Sequence, residues 1–170
     1  KEHTMTDKMY IMTGAMGAGK SAMLELLKAD HICVSEPARE ILAEQRSFRQ
    51  EALKFDRGIF ANLMLSRCIY QYKRHEESDA AVIFDSGIPD MVAYAELGGL
   101  DTDPFWRCSK QYRYAETVFL LTGWEEIYHM DSERRMTYEQ AAEFGNTVRR
   151  IYSELSYRLV EVPHLPIHER

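Results

Sequence analysis

One string constrains this chain more than any other: Gly14-Ala15-Met16-Gly17-Ala18-Gly19-Lys20-Ser21, between the apolar run Tyr10–Thr13 and a segment with Met23, Leu24 and Leu27 at helical spacing. It fits G-x-x-x-x-G-K-[ST] at every fixed position. Glycines let successive backbone N–H groups turn inward and form an anion-sized concavity. The helix that opens near Lys20 aims its positive end at the same point. A strand, a tight glycine loop and a helix are the one context in which the string works, and the flanking residues supply it. Gly14, Ala15, Gly17, Ala18, Gly19, Lys20, Ser21 and Ala22 are therefore expected to cradle the phosphates of a nucleotide. Lys20 would add a point charge and the Ser21 hydroxyl a ligand for Mg²⁺.

The rest of the chain repeats the strand–helix rhythm of a parallel α/β domain. Strands are expected at Met9–Met12, Ile32–Val34, Ala80–Phe84, Val118–Leu121 and Leu159–Val162, mostly as continuous apolar runs of the kind buried between helices. Pro37 opens one helix, with Ala38, Ile41 and Leu42 following. A second runs from about Phe55 to Glu77, with Ile59, Leu63 and Met64 expected on one face. Thr137 and Gln140 form a capping box for the last, and Phe144, Val148, Ile151, Tyr152 and Leu155 continue it at helical spacing. The stretch from Gly98 to Ala115 reads as a loop with a short helix. The expected fold is a three-layer α/β domain with about five parallel strands and helices on both faces. A single domain covers 5–170, and residues 1–4, ahead of Met5, are set apart as an expression remnant.

Composition narrows the function classes. The 170 residues carry a net charge of −6, which argues against general nucleic-acid binding. No apolar run approaches the length of a membrane span. The three cysteines, Cys33, Cys68 and Cys108, are widely spaced and show no metal-ligand pattern, in keeping with a reducing, cytoplasmic setting.

Three further places carry charge where ligands of an open α/β sheet bind. Asp85 ends the run Ala80–Phe84 and suits the Mg²⁺ shell; the alternative is a helix cap for the turn after it. Glu36 follows Ile32–Val34 and could take a proton from an acceptor hydroxyl, with Arg39 one turn on to hold that acceptor; either Glu36 or Asp85 would face the acceptor as the base. The alternative for Glu36 is an acidic residue serving the helix dipole. Arg134 and Arg135, in a polar connector, could offset charge on a transferring phosphoryl group, or form a solvated turn.

Taken together, Gly14–Ser21, Glu36-Pro-Ala-Arg39-Glu40, Phe84-Asp85-x-Gly87-x-Pro89-Asp90 and the run from Val118 through Trp124 to Arg135 resemble a family of small P-loop proteins. That family is described as AAA-domain ATPases and is similar to nucleotide and nucleoside kinases, ribosylnicotinamide kinase among them. The likeness continues through Tyr152, Leu155 and Leu159–Pro163, and so covers essentially the whole chain. It implies a P-loop NTPase fold with a kinase-like lid, ATP and Mg²⁺ as cofactors, and the roles given above for Lys20, Ser21, Glu36, Asp85, Arg134 and Arg135. Ser86 stands where the family commonly has arginine, and Thr122-Gly123 where it commonly has Pro-Pro. Two functions are compatible with this pattern. One is transfer of the γ-phosphoryl of ATP to a small hydroxylated or nucleoside-like acceptor. The other is a regulatory ATP- or GTP-binding module whose lid reports nucleotide state to a partner.

Overall fold

The computed structural model describes residues 5–47, 56–129 and 136–170. Five strands form one all-parallel sheet: β1 (Met9–Gly14), β2 (Ile32–Val34), β3 (Val82–Asp85), β4 (Thr117–Leu121) and β5 (Arg158–Glu161), in the order β2-β3-β1-β4-β5. Each lies within two residues of its expected position. Six helices connect and flank them: α1 (Lys20–Leu27), α2 (Ala38–Ser47), α3 (Arg57–His75), α4 (Ile88–Leu97), α5 (Asp103–Gln111) and α6 (Tyr138–Glu154).

The strand order decides where a ligand can enter. From β1 the chain crosses to β2 on one side, and from β3 it crosses to β4 on the other. The crossovers part at the carboxyl ends of β1 and β3, which pair in register with Met12 beside Asp85. That divergence opens a crevice at the strand ends, the usual ligand position in such sheets.

The core has two unequal parts. On one face α1 covers a small cluster of Met12, Leu24, Ile83 and Leu121. On the other, α3, α4 and α6 cover the larger cluster, which holds Ile11, Phe84, Ile88, Val92, Val148 and Tyr152, all at most 2% exposed. Helix α6 starts as its capping box requires: Thr137 N–H donates to Gln140 Oε1 at 2.9 Å and Gln140 N–H to Thr137 Oγ1 at 3.3 Å.

One helical expectation needs correction, and one helix was not expected. Along α3 the buried stripe is Phe60, Ala61, Met64, Leu65, Cys68 and Tyr72, while Ile59 and Leu63 are 55% and 42% exposed. The sequence offers two adjacent apolar stripes at helical spacing, and α4, packed alongside, selects the second. Helix α4 has no polar face to mark it: six consecutive residues, Ile88 to Ala93, are buried. Periodicity has nothing to detect in a helix apolar all round.

Candidate functional site

The loop between β1 and α1 forms because nothing else fits there. Gly14, Gly17 and Gly19 hold φ of +131°, +78° and +92°. At Gly14 a Cβ would lie 1.9 Å from the Leu121 carbonyl oxygen, so any side chain would push β1 and β4 apart. Lys20 curls back over the loop, its Nζ donating to Ala15 O at 2.9 Å and Gly14 O at 3.3 Å. Those bonds park the ammonium at the loop mouth without tying it to the core. On the far side α6 comes close enough that a Cβ on Gly145 would stand 3.0 Å from Ala15 N.

Beside the loop, Ser21 Oγ lies 3.4 Å from Asp85 Oδ2. The other oxygen, Asp85 Oδ1, is buried and has no hydrogen-bond partner among the described residues. An orphaned buried carboxylate oxygen costs about 1–3 kcal/mol, and here it stands next to a hydroxyl that can also ligate a cation. Mg²⁺ is held through one or two protein oxygens plus substrate phosphates, and Ser21 with Asp85 is a donor set of that kind. Among the described residues there is no cluster of three or more His, Cys, Asp or Glu side chains suited to a metal. Burial raises the Asp85 pKa; the Lys20 charge lowers it, Asp90 raises it further, and the Ser21 hydrogen bond lowers it. Asp85 makes none of the bonds a helix cap would: the Gly87 N–H that opens α4 donates to Asp90 instead, at 2.8 Å.

One cavity of about 470 Å³ joins the phosphate loop to Glu36, Arg39, Asp85 and Asp90. Its far wall is apolar and aromatic, from Leu42 on α2, Phe60 and Met64 on α3, and Met91 and Tyr94 on α4. The Phe60 and Tyr94 rings meet at 5.7 Å, tilted by 50°. Glu36 borders the cavity, where loss of hydration, then the charge on Asp85, raises its pKa to about 7 against the pull of Lys20. A carboxylate serving the α2 dipole would be shifted downward, so burial outweighs the helix end here. Arg39 is exposed at the rim. Glu40 pairs with Arg67 on α3 at 3.8 Å, and Arg67 also reaches Glu44 at 2.8 Å.

The remaining sequence candidates, Arg134 and Arg135, lie outside the described residues. Next to them, Tyr128 donates a hydrogen bond to Met136 O and its ring meets Tyr138 at 5.8 Å. Arg149 and Arg150 sit on the outer face of α6, paired with Glu161 and with Glu96 and Glu154. Sequence reasoning passed over the aromatic wall, because Phe60, Met91 and Tyr94 are far apart in the chain and look like ordinary core residues. It also gave no role to Asp90, which is 5% exposed and receives hydrogen bonds from Thr13 and Tyr152 as well as Gly87. A lone carboxylate in the apolar run Ile88–Ala95 was the available signal.

A glycine loop on the central strand of an all-parallel sheet, opening at the divergence of two crossovers, defines a P-loop nucleotide-binding domain. Within that class the chain belongs to the family described as AAA domain, whose model matches residues 9–170. Solved structures share the fold. NadR protein in complex with NR superposes with a TM-score of 0.67 at 18% identity, over 92% of this chain and 45% of that one. The chain thus spans less than half of that protein's length. Deoxyadenosine kinase from M. mycoides gives 0.68 at 16% identity, over 95% and 93% of the two chains. Thymidylate kinase from Ehrlichia chaffeensis gives 0.62 at 18%, over 91% and 86%. A search of curated proteins found no match. Among the described residues no helix is long and apolar enough to cross a membrane.

Proposed function

We propose that this protein is a small-molecule kinase that moves the γ-phosphoryl group of ATP to a hydroxyl of a nucleoside-like acceptor. The observation that carries the reading is the shared cavity, in which Glu36 and the Ser21–Asp85 pair border the same space as the phosphate loop. Two of the proteins with this fold, a deoxyadenosine kinase and a thymidylate kinase, are named for phosphorylating a nucleoside and a nucleotide, which supports the class.

In this reading the loop N–H groups and Lys20 hold the phosphates, and Ser21 and Asp85 hold Mg²⁺, which supplies charge neutralisation when bound. The acceptor lies against Phe60, Met64 and Tyr94, and Arg39 at the rim orients it. Glu36 takes the hydroxyl proton as the acceptor oxygen bonds to the γ-phosphorus and the bond to the β-phosphate oxygen breaks. A carboxyl that titrates near 7 is matched to this task, since the base form is populated at working pH and still takes a proton. On sequence grounds we assign Arg134 and Arg135 the countercharge for the group in transfer. The setting proposed for the protein is cytoplasmic.

The test is a phosphotransfer screen with MgATP and a panel of nucleosides, nucleotides and vitamin-like alcohols. ADP release that an acceptor accelerates, with a phosphorylated product, is the expected result. Tight MgATP binding with no acceptor-dependent release would overturn it in favour of a regulatory nucleotide-binding module.

A further inference from the structure

Asp85 and Asp90 lie five residues apart, both buried, and their surroundings treat them in opposite ways. Asp85 keeps one oxygen without a partner among the described residues. Asp90 has both oxygens occupied: Oδ1 accepts from the Thr13 hydroxyl, and Oδ2 accepts from Gly87 N–H at 2.8 Å and the Tyr152 hydroxyl at 2.6 Å. The three donors come from three separate elements. Thr13 is the residue before Gly14, where β1 becomes the phosphate loop. Gly87 lies two residues beyond Asp85, across Ser86, whose φ of +65° is uncommon for a residue with a side chain. Tyr152 belongs to α6, whose Gly145 rests on Ala15 of the loop.

From this geometry we propose that Asp90 is a positioning residue that fixes the Asp85 turn against the phosphate loop and thereby sets the Ser21–Asp85 separation for Mg²⁺; the inference rests on the reading of Ser21 and Asp85 as the metal ligands. Where the Asp85 carboxylate can reach is set by where the backbone places its Cα–Cβ bond. Beyond the strand pairing of Met12 with Asp85, Ser86 N–H ties the turn to β1 by donating to Met12 O at 2.9 Å. That tie ends at Ser86, immediately before the positive-φ turn runs on into α4. Asp90 supplies the second tie, from Gly87 on the far side of that turn back to Thr13. Two ties to β1, one on either side of Ser86, fix the backbone from which the Asp85 side chain projects toward Ser21. Asp90 touches neither phosphate nor metal in this scheme, and it acts through Asp85.

The test uses the full chain, with calorimetric titration of a non-hydrolysable ATP analogue in the presence and absence of Mg²⁺. The quantity read is the factor by which Mg²⁺ tightens binding. Asp90→Asn and Thr13→Val are expected to cut that factor about tenfold, while affinity without Mg²⁺ stays within about twofold, because the loop N–H groups and Lys20 are untouched. Thr13→Ser, which keeps the hydroxyl, is expected to retain the wild-type factor. Should Asp90→Asn fail to fold, the Thr13→Val and Thr13→Ser pair carries the test alone. An unchanged Mg²⁺ factor in folded Thr13→Val, or an equal loss with and without Mg²⁺, would overturn the proposal and leave Asp90 as a packing residue. No acceptor and no turnover enter the measurement, so a failed phosphotransfer screen would not decide it. A wild-type protein with no Mg²⁺ enhancement at all would instead remove its basis in Ser21 and Asp85.

Discussion

Across the cleft, two walls face each other that are held in place by different means. Along the phosphate loop the ligand-facing groups are backbone N–H groups and one lysine, positioned by positive-φ glycines and by neighbouring strands. The opposite wall, from Glu36 to Tyr94, consists of Glu36 after β2 and side chains from α2, α3 and α4, placed by helix packing and, between α2 and α3, by Arg67 with Glu40 and Glu44. Backbone concavities tolerate little change in the residues that form them, because a misplaced Cβ collides with main chain. Walls of side chains can be remodelled at modest cost, and so can acquire a new acceptor without loss of the fold. The phosphate side therefore carries the signature of the class, and under the proposed function the aromatic side would select the acceptor.

Four substitutions would break or sharpen this contrast. The largest effect is expected at Glu36, where Glu36→Gln should lower kcat by about 10²- to 10⁴-fold with nucleotide affinity unchanged. The wild-type rate should rise as pH increases through about 7, as Glu36 ionises, and the variant should lack that limb. A residual rate that still climbs through neutral pH in the variant would assign the limb to another group. Stability should move the other way. Glu36 titrates near 7 in the folded protein and near its ordinary 4.5 when unfolded, so the folded state binds its proton more tightly. Its contribution to stability is then full below pH 4.5 and is lost as pH rises through 7. Glu36→Gln should accordingly be more stable than wild type at pH 8 by about 1–3 kcal/mol, an advantage that fades toward pH 5. Denaturant melts at the two pH values measure it.

Next comes the loop lysine. Lys20→Ala should weaken MgATP binding by roughly 100-fold, the loss of charge-assisted bonds to phosphate, and leave the melting curve close to wild type. The second half follows from its contacts, which are to Gly14 O and Ala15 O and not to the core. Calorimetry showing native affinity would sink the loop assignment. On the aromatic side, Phe60→Leu should raise the KM of the acceptor by up to about tenfold, the worth of one aromatic contact, without altering nucleotide affinity. A change in nucleotide affinity instead would mean that the two walls are not independent. The smallest effect is expected at Arg150, whose pairs with Glu96 and Glu154 are at the surface. Arg150→Ala should cost less than about 1 kcal/mol and leave both binding sites as they were; a drop in either affinity would mean that the outer face of α6 is coupled to the site.

How far each wall was legible in the sequence follows from the same difference. The loop is local: eight contiguous residues contain the glycines, the lysine and the serine, and the apolar strand before them completes the signal. The strands could be read because most are short apolar runs between polar segments, and α6 because its capping box is a contact between residues three apart. Where local information was ambiguous the reading failed. On α3 the pairs Ile59/Leu63 and Phe60/Met64 both have helical spacing, and only the placement of α4 decides which is buried. Helix α4 was not read at all, because its buried residues run consecutively from Ile88 to Ala93 and show no helical period.

What the chain determined by itself is thus the strand–loop–helix unit and the rhythm of a parallel sheet, since both depend on residues within a few positions of one another. Asp85 and Glu36 could be named as candidates from their places after strands, for the carboxyl ends of parallel strands share one edge. Tertiary structure decided what surrounds them. It left Asp85 Oδ1 without a partner, gave Asp90 three donors from Thr13, Gly87 and Tyr152, and brought Phe60 and Tyr94 together across 34 positions of sequence. Burial and hydrogen bonding depend on distances between elements, which the order of residues does not contain, and those distances leave one oxygen of Asp85 open among the described residues while both oxygens of Asp90 are bonded.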